Sequence, residues 1–470
     1  MENLEEIAIF TTKASIICVF RTFTPFLDQI FPDSCQKIPP CSEYRRFLLP
    51  RLTIFAIIIP RTVQPVQNLQ TGRHGRGRVS CANLKKGGPH LAVSEGGQMT
   101  IAEERSRISG GPQHGLTADA YRSEEIWQQE CQTILAKNWV FIGFAHQIAE
   151  PGDANPVTCA GLPLLTVRGR DGTIQVFHNV CLHRCMTLVD KPKNVGKLIR
   201  CPYHAWAYDL DGRLRAAPHF AGTGKQEFEG FDLRQHRLRQ VRTHVWHDWI
   251  FVNLDGEAAA FEDYAAPLIS RLEGMDFTKI EPIGLLDFGE INTNWKLIME
   301  NFIEPYHVQF VHASTTDQPL EDHYTIIDGN CIGSAVDLKE EIGTSGSLGV
   351  SSRYLTLYPN FILGRYFPDQ LGVYLNVPIG PGRMRQYRAL YTTEGQHLSA
   401  EEIQGLRNLW WDVHKEDHEM VERMFEGRRS PVAWDGGLLS PAWEDSVRAF
   451  QDLIERDLAS DSNGKEKVDG

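Results

Sequence analysis

Cys181-Leu-His183-Arg184 and, after sixteen intervening residues, Cys201-Pro-Tyr-His204 are the stretch whose reading decides this chain. Each segment offers one thiolate and one imidazole. Two Cys on one iron and two His on the other form the ligand set of a [2Fe–2S] centre whose potential is raised where imidazole replaces thiolate. Two bland readings compete: a zinc site and a set of unrelated core residues. Two-Cys-two-His zinc fingers place Cys with Cys and His with His, which this order does not do. Downstream, Ala205-Trp206-Ala207-Tyr208 leads into the turn residues Asp209-Leu-Asp211-Gly212-Arg213, a strand-then-turn pattern.

Working outward, residues 139–254 alternate short β-branched and aromatic runs with Gly/Asp turns, as at Leu164 to Val167, Gln175 to Asn179 and Trp249 to Asn253. That texture predicts a small antiparallel β domain, with both Cys/His pairs on loops. Residues 99–138 precede it as a helical segment. A helix is expected over Ser123 to Lys137, with Ser123 as N-cap and Ile126, Trp127, Cys131, Ile134 and Leu135 on one side. Residues 255–460 read as an α+β domain. Strands are expected at Tyr324 to Ile327, Arg353 to Leu357, Phe361 to Phe367, Gly372 to Val377 and Met384 to Tyr391. A long helix follows from Ala400 to Phe425, opened by a Ser399/Glu402 capping box. The fold class is therefore α+β, an antiparallel sheet gripping long helices behind a β domain. Residues 461–470 read as a frayed polar tail.

A second cluster lies in Asn294-Trp-Lys-Leu-Ile-Met-Glu300-Asn-Phe-Ile-Glu304-Pro-Tyr-His307-Val-Gln-Phe-Val-His312. On a helix, Glu300, Glu304 and His307 share one face, and a solvated surface helix is the plain reading of that face. His312 fits it poorly. Five residues after His307, it lies about 140° round the wheel, so both imidazoles reach one metal only if the helix kinks or ends between them. Pro305 assists such a break. Two His and one carboxylate make the facial triad of non-heme Fe(II) oxygenases. In the helix over 400–425 the apolar stripe runs Ile403, Leu406, Trp410, Val413, then Asp417, Met420 and Met424. A carboxylate in such a stripe needs a partner, either a metal or a buried Arg. Glu416 and Glu419 fall off the stripe and are expected to be solvated.

These motifs together resemble the α subunits of Rieske non-heme iron oxygenases, the ring-hydroxylating dioxygenases and related demethylases. The resemblance runs from about Ala118 to the C-terminus. It rests on Cys181-x-His183-Arg184, Cys201-Pro-Tyr-His204-x-Trp206, Asn294-Trp-Lys, Glu300-Asn301, Glu304-x-Tyr306-His307, His312 and Asp417. It implies a Rieske domain followed by a helix-grip catalytic domain. It implies that Cys181, His183, Cys201 and His204 hold the [2Fe–2S] cluster, that His307, His312 and Asp417 hold a mononuclear Fe(II), and that Asn301 and Glu304 are catalytic. Electrons would come from NAD(P)H through a flavin reductase or ferredoxin and cross between subunits of an α3 homotrimer by way of Glu304. The substrates would be O2 and a small molecule. Three residues depart from the family pattern: Glu304 where Asp is usual, and Cys185 and Ala205 where Gly is common. Glu304 resembles the branch that oxidises quaternary ammonium compounds with N-dealkylation or C–N cleavage. Hydroxylation of an aromatic acid is the alternative, with Arg353, Arg365 and Arg385 as candidate partners for its carboxylate. A Rieske electron carrier is less favoured, and a member that has lost turnover is a further option. Tyr354, Tyr358, Phe361, Tyr366, Tyr374 and Trp410 are candidates for an aromatic cage, or ordinary core aromatics.

A net charge of −12 argues against nucleic acid or an acidic membrane as partner. No apolar run approaches the eighteen or so residues a membrane span needs. The scattered cysteines suggest a reducing cytoplasm. Residues 1–98 stand apart. They carry 12 Lys and Arg against 7 Asp and Glu, while the remainder carries 36 against 53. Either they are a basic targeting segment, or the native start is Met99 and they are a non-native extension. The lack of an amphipathic or secretory layout favours the second.

Overall fold

The computed structural model describes residues 113–460 apart from 274, 314, 316–318, 337–351, 368–369 and 394–396. The expectations for residues 1–98 and 461–470 lie outside the described residues. Helix α1 (Glu124–Lys137) starts where Ser123 accepts a hydrogen bond from the Ile126 amide at 3.2 Å. Its inner face buries Trp127, Ile134 and Leu135, and also Glu130.

Two seven-stranded antiparallel sheets follow. The first has the order β1-β10-β9-β4-β3-β2-β5. Its strands are β1 (Val140–Phe144), β2 (Asp153–Cys159), β3 (Leu162–Arg168), β4 (Ile174–His178), β5 (Lys193–Asn194), β9 (Gln240–Trp246) and β10 (Trp249–Asn253). A separate three-stranded sheet, β6 (Leu198–Arg200), β7 (Ala207–Asp209) and β8 (Leu214–Ala216), stands beside it. The second large sheet has the order β11-β17-β16-β15-β14-β13-β12. It comprises β11 (Glu281–Ile291), β12 (His323–Asp328), β13 (Cys331–Val336), β14 (Ser352–Leu357), β15 (Phe361–Phe367), β16 (Gln370–Gly380) and β17 (Arg383–Thr392). Two of its strands escape the sequence reading. The edge strand β11 carries Pro282, Gly284 and Gly289 and has two bulges, composition that an edge tolerates and a central strand does not. The run Cys331-Ile-Gly-Ser-Ala-Val is too poor in β-branched residues to stand out.

The two large sheets share one aromatic core. Phe141 meets Phe361 edge-on at 5.1 Å, and Trp249 lies 5.3 Å from the same ring. Such pairs add about 0.5–1.5 kcal/mol each beyond area burial. Asn360 fixes the register between the sheets: its side chain accepts from the Phe141 amide (2.9 Å) and donates to the Phe141 carbonyl (2.8 Å). Across the second sheet pack α2 (Trp295–Ile303), α4 (Ala400–Gly427) and α5 (Asp445–Ala459), and a short turn α3 (Val308–Val311) follows α2 in the chain. The Ser399/Glu402 capping box of α4 is formed. Among the described residues, no helix is long and apolar enough to cross a membrane.

Candidate metal centres

The two Cys/His loops adopt the same backbone form. The Cys181 amide donates to the Met186 carbonyl (2.8 Å) and the Cys201 amide to the Trp206 carbonyl (2.7 Å). The residue four places on returns the bond, Cys185 to the Cys181 carbonyl (3.0 Å) and Ala205 to the Cys201 carbonyl (3.2 Å). To close each loop that residue takes φ of +56° at Cys185 and +58° at Ala205. This explains why glycine suits both positions, since a side chain there strains the left-handed backbone. The loops present their donors alike. Cys181 and Cys201 are buried beneath, while His183 is half-buried and His204 exposed, their rings 4.7 Å apart. The Tyr208 hydroxyl lies 3.2 Å from Cys181 Sγ and accepts from the Leu182 amide at 3.0 Å. Burial pushes the Cys181 thiol up, while the Tyr208 hydrogen bond works to lower it. Thiols inside and imidazoles outside suit a two-iron cluster with its His-bound iron toward the surface. The four donors do not close on one point as a single zinc ion would require: among the described residues only a different trio does so.

That trio is His307, His312 and Asp417, whose ligand atoms lie within 4.8 Å of one another. Local sequence explains how they meet. Asn294 caps α2, accepting from the Lys296 amide (2.9 Å) and donating to the Tyr121 and Pro381 carbonyls. Lys296 pairs with buried Glu130, which also accepts from Trp295 Nε1 (2.9 Å), so α1 anchors α2. The helix stops at Ile303 because the residue before a proline is driven out of the helical region. Glu304 accordingly takes φ −110°, ψ 141°. The sequence reading put the break between the two His. It falls before both, and they stand at the two ends of α3. Nor do Glu300 and Glu304 share a solvated face. Glu300 is buried and accepts from the Tyr121 hydroxyl (2.7 Å) and Gln451 (3.1 Å). Burial raises its carboxyl.

Freed from the helix, the Glu304 carboxylate turns back and accepts from the Tyr306 and His307 amides and from His307 Nδ1 at 2.6 Å. His307 Nε2 is then left facing Asp417 Oδ1 at 3.6 Å. His312 is arranged the same way, with Nδ1 on Glu416 Oε2 (2.9 Å) and Nε2 on Asp417 Oδ1 (3.0 Å). Glu416 is thus not solvated as expected but holds a candidate ligand. Glu419 remains outward, beside Arg423. Asn301 Nδ2 donates to Asp417 at 3.4 Å. Burial works to lower both imidazoles, but the carboxylates outweigh it: His307 is raised, and Asp417 and Glu416 lift His312 to about 9. Burial would raise Asp417, yet its bond to His312 holds it below the usual carboxylate range. Metal bonds of about 2.1 Å at right angles set donors about 3 Å apart. The separations here, with a carboxylate behind each imidazole, fit a metal centre whose ligands are oriented from outside. The ion pairs of Asp417 among the described residues are with His307 and His312, not with the Arg of the alternative reading.

The trio opens on a cavity of about 150 Å³ lined by both faces of the helix grip. Tyr354, Tyr366, Tyr374 and Trp410 line it, while Tyr358 and Phe361 belong to the core. Arg353, Arg365 and Arg385 do not line it. The basic residue nearest in effect is Arg388, which the sequence reading passed over. Fully buried, its guanidinium stacks 3.5 Å from the Trp410 centroid and donates to the Tyr374 hydroxyl (2.9 Å). Space for it comes from two paired glycines, Gly364 on β15 and Gly372 on β16. A Cβ at Gly372 would come within 2.6 Å of the guanidinium, and one at Gly364 would strike the Tyr366 ring.

Residues 138–236 match the Rieske [2Fe-2S] domain, and residues 269–460 the ring hydroxylating alpha subunit catalytic domain. The glycine betaine monooxygenase oxygenase subunit of Chromohalobacter salexigens is 34% identical over 209 residues, 44% of this chain and 45% of its own length. The α subunit of 2-aminobenzenesulfonate 2,3-dioxygenase from an Alcaligenes species is 32% identical over 216 residues, 45% of this chain and 53% of its own. The chain thus spans about half the length of these curated relatives. The solved structure of a quaternary ammonium Rieske monooxygenase superimposes with a TM-score of 0.66 at 21% identity, covering 74% of this chain and 96% of that one, a likeness of fold. The chain thus joins a Rieske [2Fe-2S] domain to the catalytic domain of a ring hydroxylating alpha subunit, each presenting its own set of donors.

Proposed function

We propose that this chain is the terminal oxygenase component of a Rieske oxygenase system, hydroxylating a small organic molecule with O2. The observation that carries the reading is the convergence of His307, His312 and Asp417 on the aromatic cavity. Cys181, His183, Cys201 and His204 would hold the [2Fe–2S] cluster, and His307, His312 and Asp417 the mononuclear iron. When bound, these groups supply one-electron transfer and O2 activation. Glu304 and Glu416 keep each Nδ1–H engaged, so that both Nε2 lone pairs stay aimed inward. Asn301 steadies Asp417. The aromatic walls exclude water from the cavity. Glu304 would link His307 to the cluster of a neighbouring subunit in an α3 ring, with a cytoplasmic reductase or ferredoxin bringing electrons from NAD(P)H.

For the substrate, Glu304 and relatives named for glycine betaine and carnitine favour a quaternary ammonium compound, oxidised with loss of a carbon or C–N cleavage. One observation favours a second reading, an aromatic acid. Arg388 already stands behind Trp410, Tyr366 and Tyr374, so those rings face a cation less freely than an empty cage does. The test is reductase-driven O2 uptake with glycine betaine, carnitine and benzoate, followed by product analysis. Formaldehyde or released amine supports the first reading and hydroxylated benzoate the second. Two irons per chain and no stimulated uptake would leave an electron carrier.

A further inference from the structure

The polar side chains around the cavity are mostly engaged. Asn301 serves Asp417, Thr315 donates to Glu416, Gln386 bonds Asn376 and His418, and His414 meets Arg388. His323 differs. It opens the edge strand β12, five strands away from Arg388-bearing β17 in the sheet, and lines the same cavity as the metal trio. It is 5% exposed, and among the described residues neither ring nitrogen has a hydrogen-bond partner. Its nearest ring neighbour is Tyr354, tilted at 6.2 Å. An imidazole sealed this way forfeits two hydrogen bonds, a cost of about 1–3 kcal/mol for each unsatisfied group. Natural cores rarely keep such a group unless a ligand completes it.

We propose that His323 is the substrate-anchoring residue of this site, its N–H donating to an oxygen acceptor on the substrate, carboxylate or hydroxyl, and so fixing which carbon faces the metal trio. This rests on the oxygenase reading. Burial drives the imidazole down to about 4, against the nearby Asp322 and Glu304 charges, so it meets the substrate neutral, with one N–H to give. Along the same lining, Trp410 and Tyr366, backed by Arg388, offer ring faces instead. The substrate is therefore held in two ways: an oxygen at His323 and a flat or methyl-rich part against the aromatic wall. This geometry serves a betaine or an aromatic acid equally well.

The test uses iron-loaded holoenzyme and matched probes differing in the acceptor: glycine betaine against tetramethylammonium, and benzoate against toluene. Affinity is measured by calorimetry on wild type, His323→Phe and His323→Gln. In H323F, affinity for whichever acceptor-bearing probes the wild type binds should fall about 10-fold, the worth of one good hydrogen bond. The acceptor-free partner should bind unchanged, and H323Q should recover most of the loss. Equal affinity in H323F, or equal losses within a probe pair, overturns the proposal. A ligand-free measurement stands apart from the oxygenase reading. Because the imidazole has no hydrogen-bond partner among the described residues, H323F should melt at or above the wild-type temperature. A lower melting temperature would mean His323 supports the fold, and would overturn its assignment as an anchor. Absence of stimulated O2 uptake in wild type, with discrimination at His323 intact, would fall on the oxygenase reading alone.

Discussion

Removing the Glu416 carboxylate should weaken iron binding at the trio while leaving the Rieske centre untouched. Glu416 touches no metal. It holds His312 Nδ1 at 2.9 Å, and Thr315 donates to the same oxygen at 3.3 Å. Without it, the imidazole is free to rotate or to carry its proton on Nε2, the atom that faces Asp417. Losing such an outer partner costs about 10–100-fold in metal affinity. The Glu416 side chain is 30% exposed, so water partly replaces it and the lower end applies, about 10-fold or 1.4 kcal/mol. Glu416→Gln retains an acceptor without charge and should fall between. Glu419→Ala is the control, one helical turn away from productive geometry, with its side chain 67% exposed. The assay is competitive Fe(II) titration of metal-free protein against a chromogenic chelator, with the visible spectrum of the cluster recorded in parallel. Wild-type affinity in E416A, or the same loss in E419A, would refute the reasoning.

The remaining predictions concern the same centres. Asp417→Ala should lose about one iron per chain and all turnover with the Rieske spectrum intact, since among the described residues no other carboxylate is aimed at both Nε2 atoms; full iron content on elemental analysis would contradict this. Glu304→Gln should keep both metals but slow oxidation of the reduced cluster in rapid mixing, and normal transfer would remove its bridging role. In metal-free protein, His312 is raised from 6.5 to about 9, so its protonated form stabilises the fold fully below pH 6.5 and that contribution fades as pH climbs through about 9; melting temperatures measured across this window should decline, and less so in His312→Gln. Cys185→Gly should raise the melting temperature, because relief of the +56° φ is worth up to about 1 kcal/mol; unchanged or lower stability would show that the side chain contributes packing.

What was legible in the sequence was what is local. The four candidate cluster ligands sit in two loops, each closed by its own backbone, so their spacing is visible in the sequence. The caps of α1 and α4 are likewise encoded within four residues. Asp417 could be found because a carboxylate interrupts an apolar stripe. Glu416 could not: a helical wheel says which way a residue points but not which imbalance of charge waits there, and His312 arrives from a separate turn more than a hundred residues earlier. His323 follows no motif and no period, and only the assembled sheet reveals that no described residue hydrogen-bonds its ring. Arg388 hides for a related reason. An arginine in a strand reads as solvated, and the vacancy that receives it is made by glycines on two other strands.

That vacancy has a consequence for how the pocket can change over time. Gly364 and Gly372 leave room for Tyr366 in the chamber wall and for Arg388 behind it. Drift at either glycine would push the guanidinium or the phenol forward, altering the depth and charge of the chamber without altering a single residue that lines it near the metal trio. The selectivity of the cavity can therefore be retuned from buried positions that do not line it. A lineage, or a protein engineer, has a handle on substrate range that leaves every ligand in place.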